Sequence, residues 1–161
     1  MEQLLPLAVA LGGELKARRE TVAVAESSAG GLISAALLAV PGASAYFLGG
    51  VVVYTQAARR ALLRVPDESL AGVRSSTEAY AAIKARAVRE LLGTTWGLAE
   101  TGATGPTGNR YGDAAGHACI AVAGPVDRVV TIETRVSDRA ANMRAFARAA
   151  LELLQSSFRP V

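Results

Sequence analysis

The stretch Thr21-Val-Ala-Val-Ala-Glu-Ser-Ser-Ala-Gly-Gly31 begins apolar and β-branched and ends polar and glycine-rich. Its first five residues, 21–25, predict a short buried strand. The apolar run over residues 32–40 predicts a helix that ends at Pro41-Gly42. The stretch is therefore a strand-loop-helix junction, and such junctions are the units of layered α/β domains.

Outward from this junction, predicted strands and helices alternate along the chain. Further strands are predicted over residues 47–54, 95–100, 116–123 and 128–134, and helices over 2–19, 55–63, 76–92 and 138–156. Gly124-Pro125 separates the last two strands and indicates a hairpin, so the sheet is predicted to be mixed. No repeat or low-complexity linker divides the chain, which predicts a single α/β domain over residues 1–161.

Composition excludes several kinds of chemistry. With 51% hydrophobic and 19% charged residues, the chain has enough apolar side chains for a core and too little charge for a disordered chain. Its one cysteine, Cys119, and its one histidine, His117, exclude a disulfide or a His/Cys zinc site within one chain. We expect His117 to be a hydrogen-bonded strand residue and Cys119 to belong to the core.

Charge and hydropathy patterns bear on partners and location. No apolar run approaches the roughly 18 residues of a membrane span, so no membrane partner is expected. The first 20 residues lack the basic start and small-residue cleavage site of a signal peptide, which predicts a cytoplasmic protein. The net charge is +3, but no basic block exceeds two residues, so nucleic-acid binding is not favoured.

The polar part of the opening stretch, Glu26-Ser-Ser-Ala-Gly-Gly31, is the first of three candidate sites. The hydroxyls of Ser27 and Ser28 can cap the following helix, and backbone N–H groups left free there form an anion site. Alternatively, one of these serines is a nucleophile whose hydroxyl faces the end of the sheet. Both interpretations fit the residue types.

Two other segments follow predicted strands. Tyr54 is a possible acid or base and Arg59 a possible clamp for phosphate or carboxylate, unless they are only a strand-end tyrosine and a solvated arginine. Residues 101–109 form a glycine-rich loop that a ligand can approach closely, although a surface connection is the alternative. This loop has neither the Walker pattern nor GxGxxG, so an NTPase or a dinucleotide dehydrogenase is not indicated.

Taken in series, these segments resemble the C-terminal domain family of the competence/damage-inducible protein CinA. The family's Ala-Glu-Ser-Cys-Thr-Gly-Gly is matched by residues 25–31, and its Gly-Ser-Ser before an aromatic residue by residues 42–47. Its Gly-Val-Val-Thr-Tyr-Ser-Asn-Glu-Ala-Lys is matched by residues 50–59, and its Ser-Gly-Ile-Ala-Gly-Pro-x-Gly by residues 101–108. The family's Gly-Asp-Arg before the last helix is matched in part by residues 137–139.

The resemblance implies a three-layer α/β/α sandwich with a mixed central sheet, and a homodimer. Stand-alone members hydrolyse the carboxamide of nicotinamide mononucleotide, a small-molecule nucleotide, to nicotinate mononucleotide and ammonia, with no metal or cofactor. By position, Ser27 is the implied nucleophile, Tyr54 lies beside it, and Arg59 occupies the place of the family's catalytic lysine. The implied substrate-binding residues are Glu26, Ser28, Gly30, Gly31, Ser44, Thr101, Gly102, Gly105 and, for the phosphate, Arg139.

The departures from the family pattern leave two functions open. An arginine stays protonated in proteins and cannot accept the serine proton as a lysine does. The two lysines of the chain, Lys16 and Lys84, are expected on helices away from these loops. The chain is therefore either an amidohydrolase in which Tyr54, or a water near Arg59, handles the proton, or a catalytically degraded relative. The second would bind a nucleotide, another small anion or a protein partner.

Overall fold

A five-stranded sheet organises the protein, whose computed structural model describes residues 1–159. The strand order is β2-β1-β3-β4-β5. β1 (Val22–Glu26) pairs in parallel with β2 (Phe47–Val52) on one side and with β3 (Trp96–Ala103) on the other. β4 (His117–Ala123) is antiparallel to both β3 and β5 (Arg128–Glu133), which confirms the mixed sheet and the late hairpin.

Among residues 1–159, five α-helices flank the sheet. They are α1 (Leu5–Arg18), α2 (Leu32–Leu38), α3 (Gln56–Ala58, which continues as a π-helix over Arg59–Leu63), α4 (Glu78–Leu92) and α5 (Arg139–Ser157). The Thr77 hydroxyl caps α4, and the Asp138 carboxylate caps α5, as expected of these residue types. Within residues 1–159, no helix has both the length and the apolar character needed to span a membrane.

The helices occupy both faces of the sheet, because consecutive strand side chains point to opposite sides. Val22 and Val24 pack in one core with residues of α1, α2 and α5, whereas Ala23 and Ala25 pack in a second core with α4. The expected three-layer α/β/α sandwich is confirmed. The α4 side is built from small residues, and a Cβ on Gly97 would lie 2.0 Å from the Ala85 carbonyl oxygen, so α4 packs directly on the backbone of β3.

The carboxyl ends of the parallel strands meet at one edge of the sheet, where ligands bind in open α/β folds. β3 continues to Ala103, beyond the predicted end at residue 100, because its last residues pair with the start of β4. Thr101 and Gly102 are therefore strand residues, and the connecting loop begins later than expected. This edge carries the candidate site.

Candidate functional site

Two buried carboxylates hold the loop that follows β1. Glu26 and Glu100 are both 0% exposed. The Glu100 Oε2 atom accepts hydrogen bonds from the backbone N–H of Ser27 (3.1 Å) and of Ala29 (2.9 Å). Its Oε1 atom accepts one from the Ser28 hydroxyl. Glu100 therefore fixes the main chain on both sides of Ser28.

Glu26 holds the second half of the loop and the start of α2. Its Oε2 atom accepts from the N–H groups of Gly31 (2.9 Å) and Ile33 (3.1 Å), and its Oε1 atom from Ser34 N (2.8 Å) and Ser34 Oγ (2.6 Å). The two carboxylates thus take up N–H groups that we expected to be free for an anion. The Glu26 carboxylate caps α2, so the prediction that the hydroxyl of Ser27 or Ser28 caps this helix is wrong.

The environment of Glu26 opposes its ionisation. Burial raises the pKa of this carboxyl, and hydrogen bonds from Ser34 and Ile33 act in the opposite direction, while the nearby Glu100 charge raises it further. The net pKa is raised above its ordinary value. A cation nearby stabilises two buried acidic groups that interact in this way.

Lys84 of α4 is that cation. Its side chain is fully buried, and its Nζ atom donates a hydrogen bond of 2.8 Å to the backbone carbonyl of Glu100. Burial lowers the pKa of Lys84 to about 8, although the negative charges of Glu100 and Glu26 act to raise it. The prediction that both lysines lie away from the candidate loops is wrong for Lys84. Lys16 bonds instead to the carbonyl of Pro41.

Glu100 and Lys84 were not predicted as site residues, although each carries a signal in the sequence. Glu100 continues the period-two face of β3 that begins with the buried Trp96 and Leu98. Lys84 lies on the apolar face of α4, four residues after Tyr80 and four before Val88. An ionisable residue on a buried face needs a partner, and Lys84 finds one in the backbone carbonyl of Glu100.

Tyr54 and Arg139 come together at the same sheet edge. The backbone N–H of Val53 donates to the Glu26 carbonyl (2.8 Å), which brings Tyr54 alongside the start of the Ser27 loop. Arg139 donates through Nη1 to the Gly105 carbonyl (2.8 Å) and through Nη2 to the Tyr54 hydroxyl (3.3 Å). The hydroxyl partner of Tyr54 is therefore Arg139. Ser27 is half-buried here, and Tyr54 is 61% exposed.

The glycine-bearing segments at this edge have specific neighbours. A Cβ on Gly30 would lie 2.7 Å from Met143 Cε of α5, and one on Gly31 would lie 3.7 Å from Val52. The Thr101 hydroxyl accepts from the Ser76 N–H (3.3 Å), and a Cβ on Gly102 would lie 2.4 Å from the His117 carbonyl oxygen. Thr101 and Gly102 thus contact neighbouring protein elements.

Asn142, a buried residue that the sequence analysis did not single out, ties the glycine-rich loop to the start of α5. Its Nδ2 atom donates to the carbonyls of Thr104 (2.8 Å) and Val136 (2.7 Å), and its Oδ1 atom accepts from the Thr134 hydroxyl (2.5 Å). These three bonds keep Gly105 within reach of Arg139. A buried amide needs such partners, because an unpaired one carries a desolvation cost.

Arg59 lies apart from Tyr54 in its contacts. Its guanidinium is buried, with a 3% exposed side chain, and forms an ion pair with Asp67, which Arg60 shares. Within residues 1–159, its Nε and Nη1 atoms have no hydrogen-bond partner. Arg59 lines a cavity of about 190 Å³. The other lining residues are Gln56, Asp67, Leu70, Val73, Arg74, Ser75, Tyr80 and Tyr111, and neither Ser27 nor a glycine-bearing turn is among them.

The structure places Ser44, which the resemblance assigns to the same site, away from Ser27 within one chain. Ser44 lies in a short 3₁₀ turn, Ala43–Ala45, immediately before β2 begins. β1 and β2 are parallel, so the residues before β2 lie at the amino-terminal edge of the sheet, whereas Ser27 follows the carboxyl end of β1. Within one chain, Ser44 and Ser27 are on opposite edges.

His117 and Cys119 have structural roles, as predicted. His117 bonds through Nδ1 to the Glu133 carboxylate (2.5 Å) and through Nε2 to the Ser76 carbonyl (3.0 Å). Burial acts to lower the pKa of His117, but the bonds to Glu133 and Ser76 and the charge of Asp113 outweigh it, and the net pKa is raised. Cys119 is 2% exposed, and burial raises the pKa of its thiol.

These features define a class: a three-layer α/β domain whose polar loops meet at the carboxyl ends of parallel strands. The family model described as CinA C-terminal domain matches residues 5–158, and this chain belongs to that family. A CinA-like protein from Salinibacter ruber is 40% identical over 146 residues, 91% of this chain and 35% of its own length. A CinA-like protein from a Cyanothece species is 43% identical over 132 residues, which are 82% of this chain and 31% of that protein's length. The chain thus spans about a third of these relatives.

Solved structures show the same fold. The competence-damaged protein (CinA) superfamily protein from Escherichia coli matches with a TM-score of 0.89 at 26% identity, over 96% of this chain and 90% of that one. The competence damage-inducible protein A from Klebsiella pneumoniae matches with a TM-score of 0.90 at 27% identity, over 96% of both chains. The competence/damage inducible protein CihA from Agrobacterium tumefaciens matches with a TM-score of 0.85 at 28% identity, over 97% of this chain and 96% of that one.

Proposed function

We propose that this chain is a nicotinamide-nucleotide amidohydrolase that converts nicotinamide mononucleotide to nicotinate mononucleotide and ammonia. Membership of the CinA C-terminal family supports the proposal. The observation that carries it is the convergence of the Ser27 loop, Tyr54, Gly105 and Arg139 at one sheet edge. A half-buried serine in a loop whose main chain is fixed by buried carboxylates is held in a defined position, which supports a role for Ser27 as the nucleophile.

The proposed reaction has two steps. The Ser27 oxygen attacks the carboxamide carbon, its proton passes to the leaving nitrogen by way of Tyr54 or a water, and ammonia leaves an ester on Ser27. Water then hydrolyses the ester, which releases the nicotinate nucleotide and restores the serine hydroxyl. Arg139, which already reaches the Tyr54 hydroxyl, is the proposed contact for the substrate phosphate.

The test measures ammonia release from nicotinamide mononucleotide by the wild-type chain and by Ser27→Ala. We expect the variant to lose at least about a thousandfold in kcat, since removal of a nucleophile leaves only binding and electrostatic effects. Ser44→Ala is the matched control, because Ser44 is exposed and lies at the opposite edge. Equal rates for wild type and Ser27→Ala would refute the proposal.

A second candidate function, binding of an anionic ligand without turnover, is favoured by the surroundings of Arg59. The guanidinium is buried, cannot accept a proton, and has two nitrogens without a partner among the described residues. It lines a cavity with Arg74 and the side chains of two tyrosines, Tyr80 and Tyr111. Arginine and tyrosine donors in such a cavity suit a phosphate or carboxylate group.

Calorimetry with nicotinamide mononucleotide and with orthophosphate separates the two candidates. Binding that is lost in Arg59→Met, together with no ammonia release by the wild-type chain, supports the binder. Ammonia release that depends on Ser27 excludes it as the whole function. A homodimer and a cytoplasmic location, which the sequence analysis expects, remain proposals, and sedimentation of the purified chain tests the first.

A further inference from the structure

Three fully buried ionisable side chains are grouped around one short loop. Glu26, Glu100 and Lys84 each have 0% exposure. The two carboxylates receive the hydrogen bonds of residues 27–34, as described above, and Lys84 approaches from the α4 layer on the other face of the sheet. Removing an ionised group from water costs free energy unless the group is paired and hydrogen-bonded. This arrangement therefore depends on the contacts that its three members make.

Glu100 restrains the backbone that carries the Ser27 side chain. The N–H groups of Ser27 and Ala29 donate to the same carboxylate oxygen, Oε2. Two donors from residues on either side of Ser28 orient the peptide planes between them, and the direction of the Ser27 side chain follows from that backbone. Hydrogen bonds to a charged acceptor are stronger than those between neutral groups, which makes this restraint stiff.

Ser28 completes the coordination of Glu100. Its hydroxyl donates to Oε1, the oxygen that the backbone N–H groups leave available. The family motif quoted above has cysteine at this position, and a thiol is a weak donor where a hydroxyl is a strong one. Ser28 and Glu100 therefore belong to one arrangement in this chain.

Lys84 holds the main chain of Glu100 from the other side of the sheet. The last registered pair between β1 and β3 is Ala25–Ala99, so the Glu100 carbonyl lies just beyond the ladder of those strands. Lys84 donates to this carbonyl, and its positive charge offsets the repulsion between the carboxylates of Glu26 and Glu100. Its ammonium thus secures the position of the Glu100 main chain.

We infer that Glu100 and Lys84 are a pair of positioning residues that orients Ser27, with the Ser28 hydroxyl as the link between carboxylate and loop. Neither residue touches substrate in this assignment. The inference rests on the proposed function for what Ser27 does, but the order of the loop can be measured without any substrate.

The first experiment measures amide hydrogen exchange of Ser27 and Ala29 in the wild type and in Glu100→Leu and Glu100→Gln. Leucine removes the acceptor, so we expect both amides to exchange at least about tenfold faster, as local opening becomes easier. Glutamine keeps an acceptor oxygen for the N–H groups and a donor for Ser28, so protection is expected to stay within about threefold of wild type. Unchanged exchange in Glu100→Leu would overturn the inference, and if that variant does not fold, unchanged exchange in Glu100→Ala, which also removes the acceptor, would overturn it.

The second experiment measures kcat and KM for nicotinamide mononucleotide in Lys84→Met, with Lys16→Met as the control. Both lysines donate to a backbone carbonyl, but Lys16 does so to Pro41 near the opposite edge. We expect kcat of Lys84→Met to fall at least about tenfold while KM stays within about threefold, since a displaced nucleophile affects the chemical step more than binding. Faster exchange of the Ser27 amide must accompany that loss.

The outcomes separate the inference from the proposed function. A fall in kcat without any change in the exchange of Ser27 and Ala29 would contradict positioning, because the residues would then act on the reaction itself. No turnover by the wild type, together with the expected exchange pattern, would overturn the proposed hydrolysis and leave the ordering of the loop by Glu100 and Lys84 established. Equal kcat in Lys84→Met and Lys16→Met would refute the part assigned to Lys84.

Discussion

Lys84 and Arg59 are two buried cations on the same side of the sheet, and they are satisfied in different ways. Lys84 is 0% exposed and bonds to the backbone of Glu100, with two buried carboxylates close by. Arg59 is 2% exposed and pairs with Asp67, whose side chain is 54% exposed. Tyr80 lies between them, with its ring 5.8 Å from Lys84 Nζ and its side chain in the wall of the Arg59 cavity.

The difference separates a buried cation that the fold needs from a buried cation whose hydrogen bonds are only partly formed within the fold. The partners of Lys84 are internal, so its removal leaves buried negative charge without compensation. Asp67 retains Arg60 if Arg59 is lost, and two nitrogens of Arg59 have no partner in the described chain. Lys84 therefore belongs to the architecture of the serine loop, whereas Arg59 is suited to a ligand.

The largest effect is expected for Lys84→Met. Removing one member of a buried charge cluster costs about 3–5 kcal/mol of unfolding free energy, because the remaining carboxylates stay desolvated and repel each other. Urea unfolding of the variant and of Lys16→Met measures this difference. The exposed Lys16 should contribute no more than about 0.5 kcal/mol. Similar losses in the two variants would show that Lys84 is not a structural charge.

Most of the fold could be predicted from the sequence, because its signals are local. The β-branched run before Glu26 predicted β1, and the alternation of elements predicted the layers. β3 was predicted too short, since Thr101 and Gly102 continue the strand only because β4 is there to pair with them. Strand pairing between distant segments is not a property of either segment alone.

The candidate site was predictable only in part, because its main contacts are long-range. The order of the motifs placed Ser27, Tyr54 and the Gly105 loop at one edge. It did not show that Tyr54 bonds to Arg139, which is 85 positions away, and not to Arg59. Glu100 and Lys84 could have been suspected as ionisable residues on apolar faces, but which loop they support depends on how α4 lies against β3.

A smaller effect is expected for Arg59→Met. The substitution removes two buried donors that lack a partner, and it leaves Asp67 paired with Arg60. The desolvation cost that disappears offsets the lost ion pair, so we expect an unfolding free energy within about 1 kcal/mol of wild type. Urea unfolding alongside Lys84→Met provides the comparison. A loss as large as that of Lys84→Met would mean that the two cations are equally structural.

The smallest effect concerns the pH dependence of His117, another buried group that carries a positive charge when it is protonated. The raised pKa of His117 means that its protonated form, bonded to Glu133 and Ser76, is favoured by folding. That contribution is complete below the ordinary histidine pKa of about 6.5 and is lost as pH rises through the raised value. Glu133 is half-exposed, so solvent screens the pair and keeps the effect below those above. The melting-temperature difference between wild type and His117→Gln should therefore shrink from pH 6 to pH 9, roughly across the range in which histidine titrates. A difference that stays constant or grows over this range would show that His117 is neutral in the folded chain, and Lys84 and Arg59 would then be the buried cations to compare.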